Sequence, residues 1–287
     1  MTKSNGPQFS NIYVFGDSYS DTGNSHYVTE GKIGETQGKG RFCNDYIWID
    51  YFACQLGLRL DNCVAEGDTS ESINFAFGGA TTGTKNLFPE VVPNLPELPG
   101  LQQQISLFTQ EKREVTNALY IIWVGAADYA PFVNGIPQHT EANQTISNIA
   151  KGITALGEVG ARNILLMNVP DISKTPLANA VKVITSPSQV SKTIELHNQG
   201  LKQISKQISK QMEFQAELNI IHFDVKALVD TMIAYPEKFG FMNTTKACSQ
   251  IPGSNPDDYI FWDMVHFTSK ANQILANAVL EQIKIVM

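Results

Sequence analysis

Short apolar runs recur along the chain at 11–15, 73–77, 118–124, 163–167 and 219–223, each bounded by Gly, Pro, Asn or Asp. Runs of this length with such boundaries predict β-strands. The stretches between them, 45–56, 100–112, 140–159 and 189–218, carry apolar residues at helical spacing, as in the stripe Ile194, Leu201, Ile204 and Ile208. A last helix is predicted by Ala271, Ile274, Leu275, Ala278 and Val279, which follow a Thr268-Ser269 cap and so start the helix just after His266. Alternation of strand and helix implies a mostly parallel sheet covered on both faces.

No internal repeat, charge block or low-complexity tract divides the chain, so a single domain over 1–287 is expected. The segment 87–99 differs in holding Pro89, Pro93, Pro96 and Pro99 among apolar residues. Proline removes a backbone donor, and the spacing predicts an extended surface loop without helix or central strand.

Composition narrows the functional classes. With 287 residues and 43% hydrophobic content the chain can fill a sizeable core, and its net charge of −7 disfavours nucleic acid or an anionic bilayer as a partner. No run of about 18 apolar residues predicts an integral membrane segment, and the first residues, Met1 to Pro7, lack the apolar core of a signal peptide. Cys43, Cys54, Cys63 and Cys248 form no C-x-x-C pair, which leaves buried free thiols or one or two disulfides as open alternatives. His26, His139, His197 and His222 show no metal-ligand spacing, and His197 on the long helix reads as a satisfied structural histidine. Gly78-Gly79 and Gly125 lack the further residues of a nucleotide loop, so no cofactor or metal is implied.

The chemistry lies at the two ends of the chain. Gly16-Asp17-Ser18 follows the first strand, and a serine in a strand-to-helix turn exposes Oγ while aiming nearby N–H groups at a developing oxyanion. The flanking pattern is not the G-x-S-x-G elbow, because Ser20 stands at the second glycine position. Far downstream, Asp263 and His266 are three residues apart, which in a helical first turn lets the carboxylate orient the imidazole. Asp17, Asp21 and Asn24 read as turn formers beside Ser18, with Gly23 permitting a positive φ.

Four ordered blocks carry a resemblance: Val14 to Asn24 around Gly-Asp-Ser, Asn74 to Thr81 around Gly78-Gly79, Ile122 to Tyr129 around Gly125-Ala-Ala-Asp128, and Phe261 to Thr268 around Asp263 and His266. Together they resemble the GDSL, or SGNH, family of esterases and lipases across 12–270. The resemblance implies a flavodoxin-like three-layer α/β/α sandwich with a mostly parallel five-stranded sheet and the site at the strands' C-terminal ends. It further implies Ser18 as nucleophile, His266 as general base and then acid, and Asp263 as its orienting partner. Oxyanion donors would be the N–H groups of Ser18 and Gly79 with a side-chain amide from the third block. That block reads Gly-x-Asn-Asp in the family, whereas Ala127 places a methyl at the Asn position. One missing donor costs about 10²–10³ in turnover. Three readings stay open: another donor, an introduced inactivating substitution, or a chain that binds without turnover.

For substrate contacts, Asp17 beside the nucleophile and Tyr129 and Phe132 after the third block are the candidates. The apolar residues Leu87, Phe88, Val91, Val92, Leu95 and Leu98 either line the pocket mouth, where a groove would suit an acyl chain, or pack down as core cover. The expected function is a lipase- or lysophospholipase-like serine ester hydrolase whose partner is an acyl-ester or lipid substrate. Alternatives are an acyltransferase with a sterol or other alcohol acceptor, a carbohydrate acetylesterase, and a non-catalytic lipid-binding protein. Secretion is favoured by the resemblance, with a cytoplasmic location as the alternative.

Overall fold

The computed structural model describes residues 9–34, 38–65, 71–111, 117–129, 141–180, 187–212 and 218–286. Strand β1 (Asn11–Gly16) lies deep in the molecule, with all six of its residues buried. It lies between β3 (Ser72–Asn74) and β4 (Ala118–Trp123), parallel to both, in a sheet that begins with β2 (Leu60–Asn62) and continues through β5 (Asn163–Met167) to β6 (Asn219–Phe223). The spatial order is β2-β3-β1-β4-β5-β6, and every pairing in it is parallel. The five expected strands are therefore joined by a sixth, the three-residue edge strand β2, too short to show periodicity in the sequence.

Side chains of a strand alternate between the two sheet faces, so a doubly covered sheet needs apolar residues at consecutive positions. Ile12, Val14, Leu119, Ile121, Trp123, Leu165 and Met167 face one layer, and Tyr13, Phe15, Tyr120, Ile122, Ile164 and Leu166 face the other. The helices follow in chain order as α1 (Asn24–Val28), α2 (Trp48–Leu56), α3 (Leu87–Val91), α4 (Leu101–Gln110), α5 (Ala126–Tyr129), α6 (Ala142–Glu158), α7 (Pro176–Ala180), α8 (Pro187–Met212), α9 (Val225–Ala234) and α10 (Ser269–Val286). Residues of α2, α9 and α10 cover the first face, and residues of α4, α6 and α8 the second, giving an α/β/α sandwich. None of the described helices is long and apolar enough to cross a membrane.

Two expectations change. The segment 87–99 opens with the helix α3 rather than running extended throughout, because Pro89 falls in the first turn, where its missing N–H would have had no intrahelical acceptor. Asn86 caps that turn by accepting from the Phe88 N–H at 2.9 Å. Helix α9 was not foreseen; its signal was Asp224, which accepts from the Ala227 N–H, followed by the buried Val225, Val229 and Met232. All four cysteines are free thiols, with Cys43 and Cys248 buried and Cys54 exposed.

Chain order reverses direction across the sheet at β1: the chain leaves β1 toward β2 and β3 and then returns to β4 on its other side. Loops leaving the C-terminal ends of neighbouring strands diverge at such a point and leave a crevice. Close approach is needed there. A Cβ on Gly16 would overlap the Trp123 carbonyl oxygen, so only glycine lets β1 and β4 stay paired to the last residue. Gly16→Ala should therefore lower unfolding stability by about 1–3 kcal/mol through forced separation of the strand ends. Urea denaturation with an unchanged midpoint would show that the close approach imposes no such requirement.

Candidate active site

The crevice starts with backbone that has no freedom to drift. The Gln104 side chain clamps Gly16 from α4, accepting its N–H at 2.8 Å and donating to its carbonyl at 2.9 Å. The Asp17 N–H reaches the Trp123 carbonyl, and the Asp17 carbonyl then accepts from the N–H groups of Ser20 and Asp21. This turn carries Ser18 half-buried at the mouth of the crevice. Tyr19, the next residue, stacks on Trp123 with ring centroids 4.8 Å apart and donates its hydroxyl to the Val265 carbonyl at 3.1 Å. The nucleophile turn is thus tied directly to the far end of the chain.

That far end is a tight loop between β8 (Tyr259–Phe261), which pairs with β7 (Asn243–Ala247), and α10. Asp263 and His266 sit in this loop and not in a helical first turn, a correction to the sequence expectation. The Trp262 N–H donates to the His266 carbonyl, and Asp263 Oδ1 accepts from the N–H groups of Val265 and His266 at 2.8 and 2.7 Å. Such self-bonding of an Asp side chain to following backbone brings positions three apart together without a helix.

Within this frame His266 Nδ1 lies 2.7 Å from Asp263 Oδ2, and His266 Nε2 lies 2.7 Å from Ser18 Oγ. Burial alone would raise the Asp263 pKa, but the adjoining imidazole and the two N–H donors hold it below the ordinary carboxylate range. An ionised Asp263 accepts the Nδ1 proton, which leaves the Nε2 lone pair facing the serine hydroxyl. A relay of this form can withdraw a proton from Ser18 as it attacks an electrophile.

The second wall of the crevice is the Gly78-Gly79 turn. The Gly78 N–H is held at 2.8 Å by both Asp21 Oδ2 and Ser25 Oγ, while Asn86 Nδ2 donates to the Gly78 carbonyl. Gly79 has φ +74°, and a Cβ there would stand 2.7 Å from Asn86 Oδ1 and 2.9 Å from the Phe88 ring. Neither the Ser18 nor the Gly79 N–H has an acceptor among the described residues. Ala127 lies on α5, 9% exposed, and its methyl offers no donor.

Asp128, beside it, was not singled out from the sequence. Its carboxyl accepts from the Thr82 N–H at 2.9 Å and from Thr82 Oγ1 at 2.7 Å, tying α5 to the loop that follows Gly79. Burial pushes its pKa up to about 6 against those two bonds. Phe42 was also missed; its ring lies 5.1 Å from the imidazole of His266 and 5.6 Å from Phe88.

The three substrate-contact candidates fare differently. Asp17 is 2% exposed, with Oδ1 taken by the Tyr19 N–H and Oδ2 buried, so it supports the turn from beneath and offers no surface to a substrate. Tyr129 is 4% exposed, and its hydroxyl shares hydrogen bonds with Thr145 Oγ1 at 2.6 Å and His197 Nδ1 at 2.8 Å, which places it in interior packing. Phe132 lies outside the described residues. His197 belongs to the same buried cluster, with its pKa brought down to about 4 by burial, and its Nε2 has no hydrogen-bond partner among the described residues.

The family model described as GDSL-like Lipase/Acylhydrolase matches residues 12–279. A thermolabile hemolysin of Vibrio parahaemolyticus is 25% identical, the match covering 96% of this chain and 64% of the hemolysin. A phosphatidylcholine-sterol acyltransferase of Aeromonas hydrophila is 27% identical over 84% of this chain and 66% of its own length. The chain thus spans just under two thirds of the length of each of these two relatives. Among solved structures, a mutant acetyl-xylooligosaccharide esterase from Geobacillus shares the fold at a TM-score of 0.51, with 15% identity over 97% of this chain and 95% of the esterase.

The buried Asp17 makes a stability prediction. Burial pushes its pKa up to about 7, while an unfolded Asp ionises near its ordinary value of about 4. Between these values the folded state holds a proton that the unfolded state has lost, so stability falls as pH rises from about 4 to about 7 and is level above. Asp17→Asn abolishes that titration. Its stability relative to wild type should rise by roughly 3–4 kcal/mol between pH 4 and pH 8, read from denaturant unfolding at each pH. An unchanged difference would place the Asp17 carboxyl in a solvated setting.

Proposed function

The chain belongs to the GDSL-like lipase/acylhydrolase family, and from that premise we propose that it is a serine carboxylic-ester hydrolase working through an acyl-enzyme on Ser18. The observation that carries the proposal is the unbroken line of two 2.7 Å contacts, Ser18 to His266 to Asp263, beside two N–H groups without acceptors among the described residues. In this reading Ser18 Oγ attacks the ester carbonyl as His266 Nε2 takes its proton. The carbonyl oxygen gains negative charge and is met by the N–H groups of Ser18 and Gly79. His266 then gives the proton to the leaving alcohol, and the same steps with water release the acid. Asp263 keeps its charge throughout and stabilises the imidazolium that forms.

The substrate class we propose is an acyl ester with an apolar chain, of the lipase or lysophospholipase kind. Similarity to a phosphatidylcholine-sterol acyltransferase favours a second reading, in which an alcohol intercepts the acyl-enzyme in place of water. Product analysis with and without a sterol separates the two: a sterol ester formed at the expense of free acid supports transfer.

Two variants test the mechanism. Ser18→Ala should abolish labelling by a fluorophosphonate and lower kcat by about 10⁴-fold or more; equal labelling of wild type and variant would reject Ser18 as nucleophile. Ala127→Asn, on the proposal that this position faces the oxyanion, adds a third donor that acts mainly in the transition state. Its kcat should rise about 10–10³-fold with a smaller change in KM. A folded variant with unchanged or lower kcat would mean that Ala127 does not face the oxyanion or that another group already fills the third position.

A further inference from the structure

Two aromatic rings extend from the imidazole to the glycine turn. Phe42 stands with its ring centroid 5.1 Å from that of His266 and stacks on Phe88 at 5.6 Å with the planes 16° apart. Phe88 in turn lies against the glycine pair: a Cβ on Gly78 would come within 2.8 Å of its ring, and one on Gly79 within 2.9 Å. A Cβ on Gly78 would also overlap the Phe42 ring. The two glycines therefore do more than permit a turn, since any side chain on Gly78 would separate both rings from the backbone that carries the Gly79 N–H.

Core packing accounts for Phe42, which is buried, but not for the whole pair. Phe88 is only half-buried, on a short helix whose neighbours Leu87, Val92 and Leu95 are half-buried too and whose Val91 is exposed. Half-buried and exposed apolar side chains thus recur along 87–95 on both sides of Phe88, interrupted by the exposed Glu90 and Asn94. From this arrangement we infer that the Phe42–Phe88 pair is the specificity-determining element of the site, selecting esters whose acyl group is a chain of several methylenes over acetyl esters. The inference rests on the ester-hydrolase reading for the reaction, and it assigns the acyl chain to the aromatic side of the crevice.

A carbonyl oxygen near the Gly79 N–H puts the acyl carbon beside the Phe88 ring, and each further methylene that leaves water for such a surface is worth about fourfold in binding. Removing one ring exposes two or three methylenes again. The test compares kcat/KM for p-nitrophenyl octanoate and p-nitrophenyl acetate in wild type, Phe88→Ala and Phe88→Leu, each checked for folding by its thermal melt. The octanoate-to-acetate ratio should fall about 10–60-fold in Phe88→Ala and by less in Phe88→Leu, which keeps apolar bulk. A ratio unchanged in both variants overturns the inference. So does a ratio that responds only when the alcohol chain is lengthened in an alkyl acetate series. Equilibrium binding of decanoate, followed by tryptophan fluorescence, is measured on the same proteins. If wild type hydrolyses no ester and leaves Ser18 unlabelled, the hydrolase reading fails, and weaker decanoate binding by Phe88→Ala still decides for the aromatic pair, while equal binding decides against it.

Discussion

Asp21 is buried completely, and a carboxylate in that position must collect donors or stay neutral. It draws on four backbone N–H groups from two separate loops: Gly23 and Asn24 on Oδ1, Ser25 and Gly78 on Oδ2. Three of these close the turn after Ser18, and the fourth belongs to the loop after β3. Asn24 and Asn74 repeat the stitching in both directions, Asn24 donating to the carbonyls of Asn74 and Ala76, Asn74 donating to the Ser20 carbonyl and Thr22 Oγ1. Each of these groups is costly to leave unpaired, so the network admits one arrangement of the two loops. The distance between the Ser18 hydroxyl and the Gly79 N–H is a consequence of that arrangement.

Carboxyl groups around the crevice are pushed in opposite directions by their surroundings. Asp263 accepts two N–H groups and faces an imidazole, and it stays charged. Asp17 is buried, and that burial, reinforced by the nearby Asp128 carboxyl, outweighs the Tyr19 N–H and the pull of His266 and pushes its pKa up to about 7. The same residue type is thus held ionised behind His266 and pushed toward its neutral form beside Ser18 by the two settings.

The third block shows how one residue can be replaced while its setting is kept. Asp128 still anchors α5 to Thr82, and Asn148 and Gln102 hold the same Thr82 through its hydroxyl and carbonyl. Position 127 is therefore firmly held, and it carries only a methyl. The N–H groups of Ser18 and Gly79 have no acceptor among the described residues, and the stacked Phe42 and Phe88 rings lie against the glycine turn that carries the second of them.

Much of this was legible in the sequence. Strand and helix positions follow from periodicity because a sheet covered on both faces demands unbroken apolar runs, and Ser18, Asp263 and His266, which the structure brings into contact, were readable from their local patterns. The failures share a cause. Edge strand β2, the first-turn proline of α3, and the loop geometry of Asp263 and His266 depend on a few hydrogen bonds each, below the length at which a pattern can form. Phe42, Gln104 and Asp128 act across long separations in the chain and carry no local mark of it, and the burial of Asp17 and Tyr129 likewise follows from packing that no local pattern shows. What the sequence by itself determined is the fold class and the identity of the groups able to do the chemistry, since these depend on residue type and period. Which side chains face the crevice was decided only by tertiary structure, because two residues 248 positions apart meet at 2.7 Å through the topology of the sheet and the satisfaction of its buried polar loops.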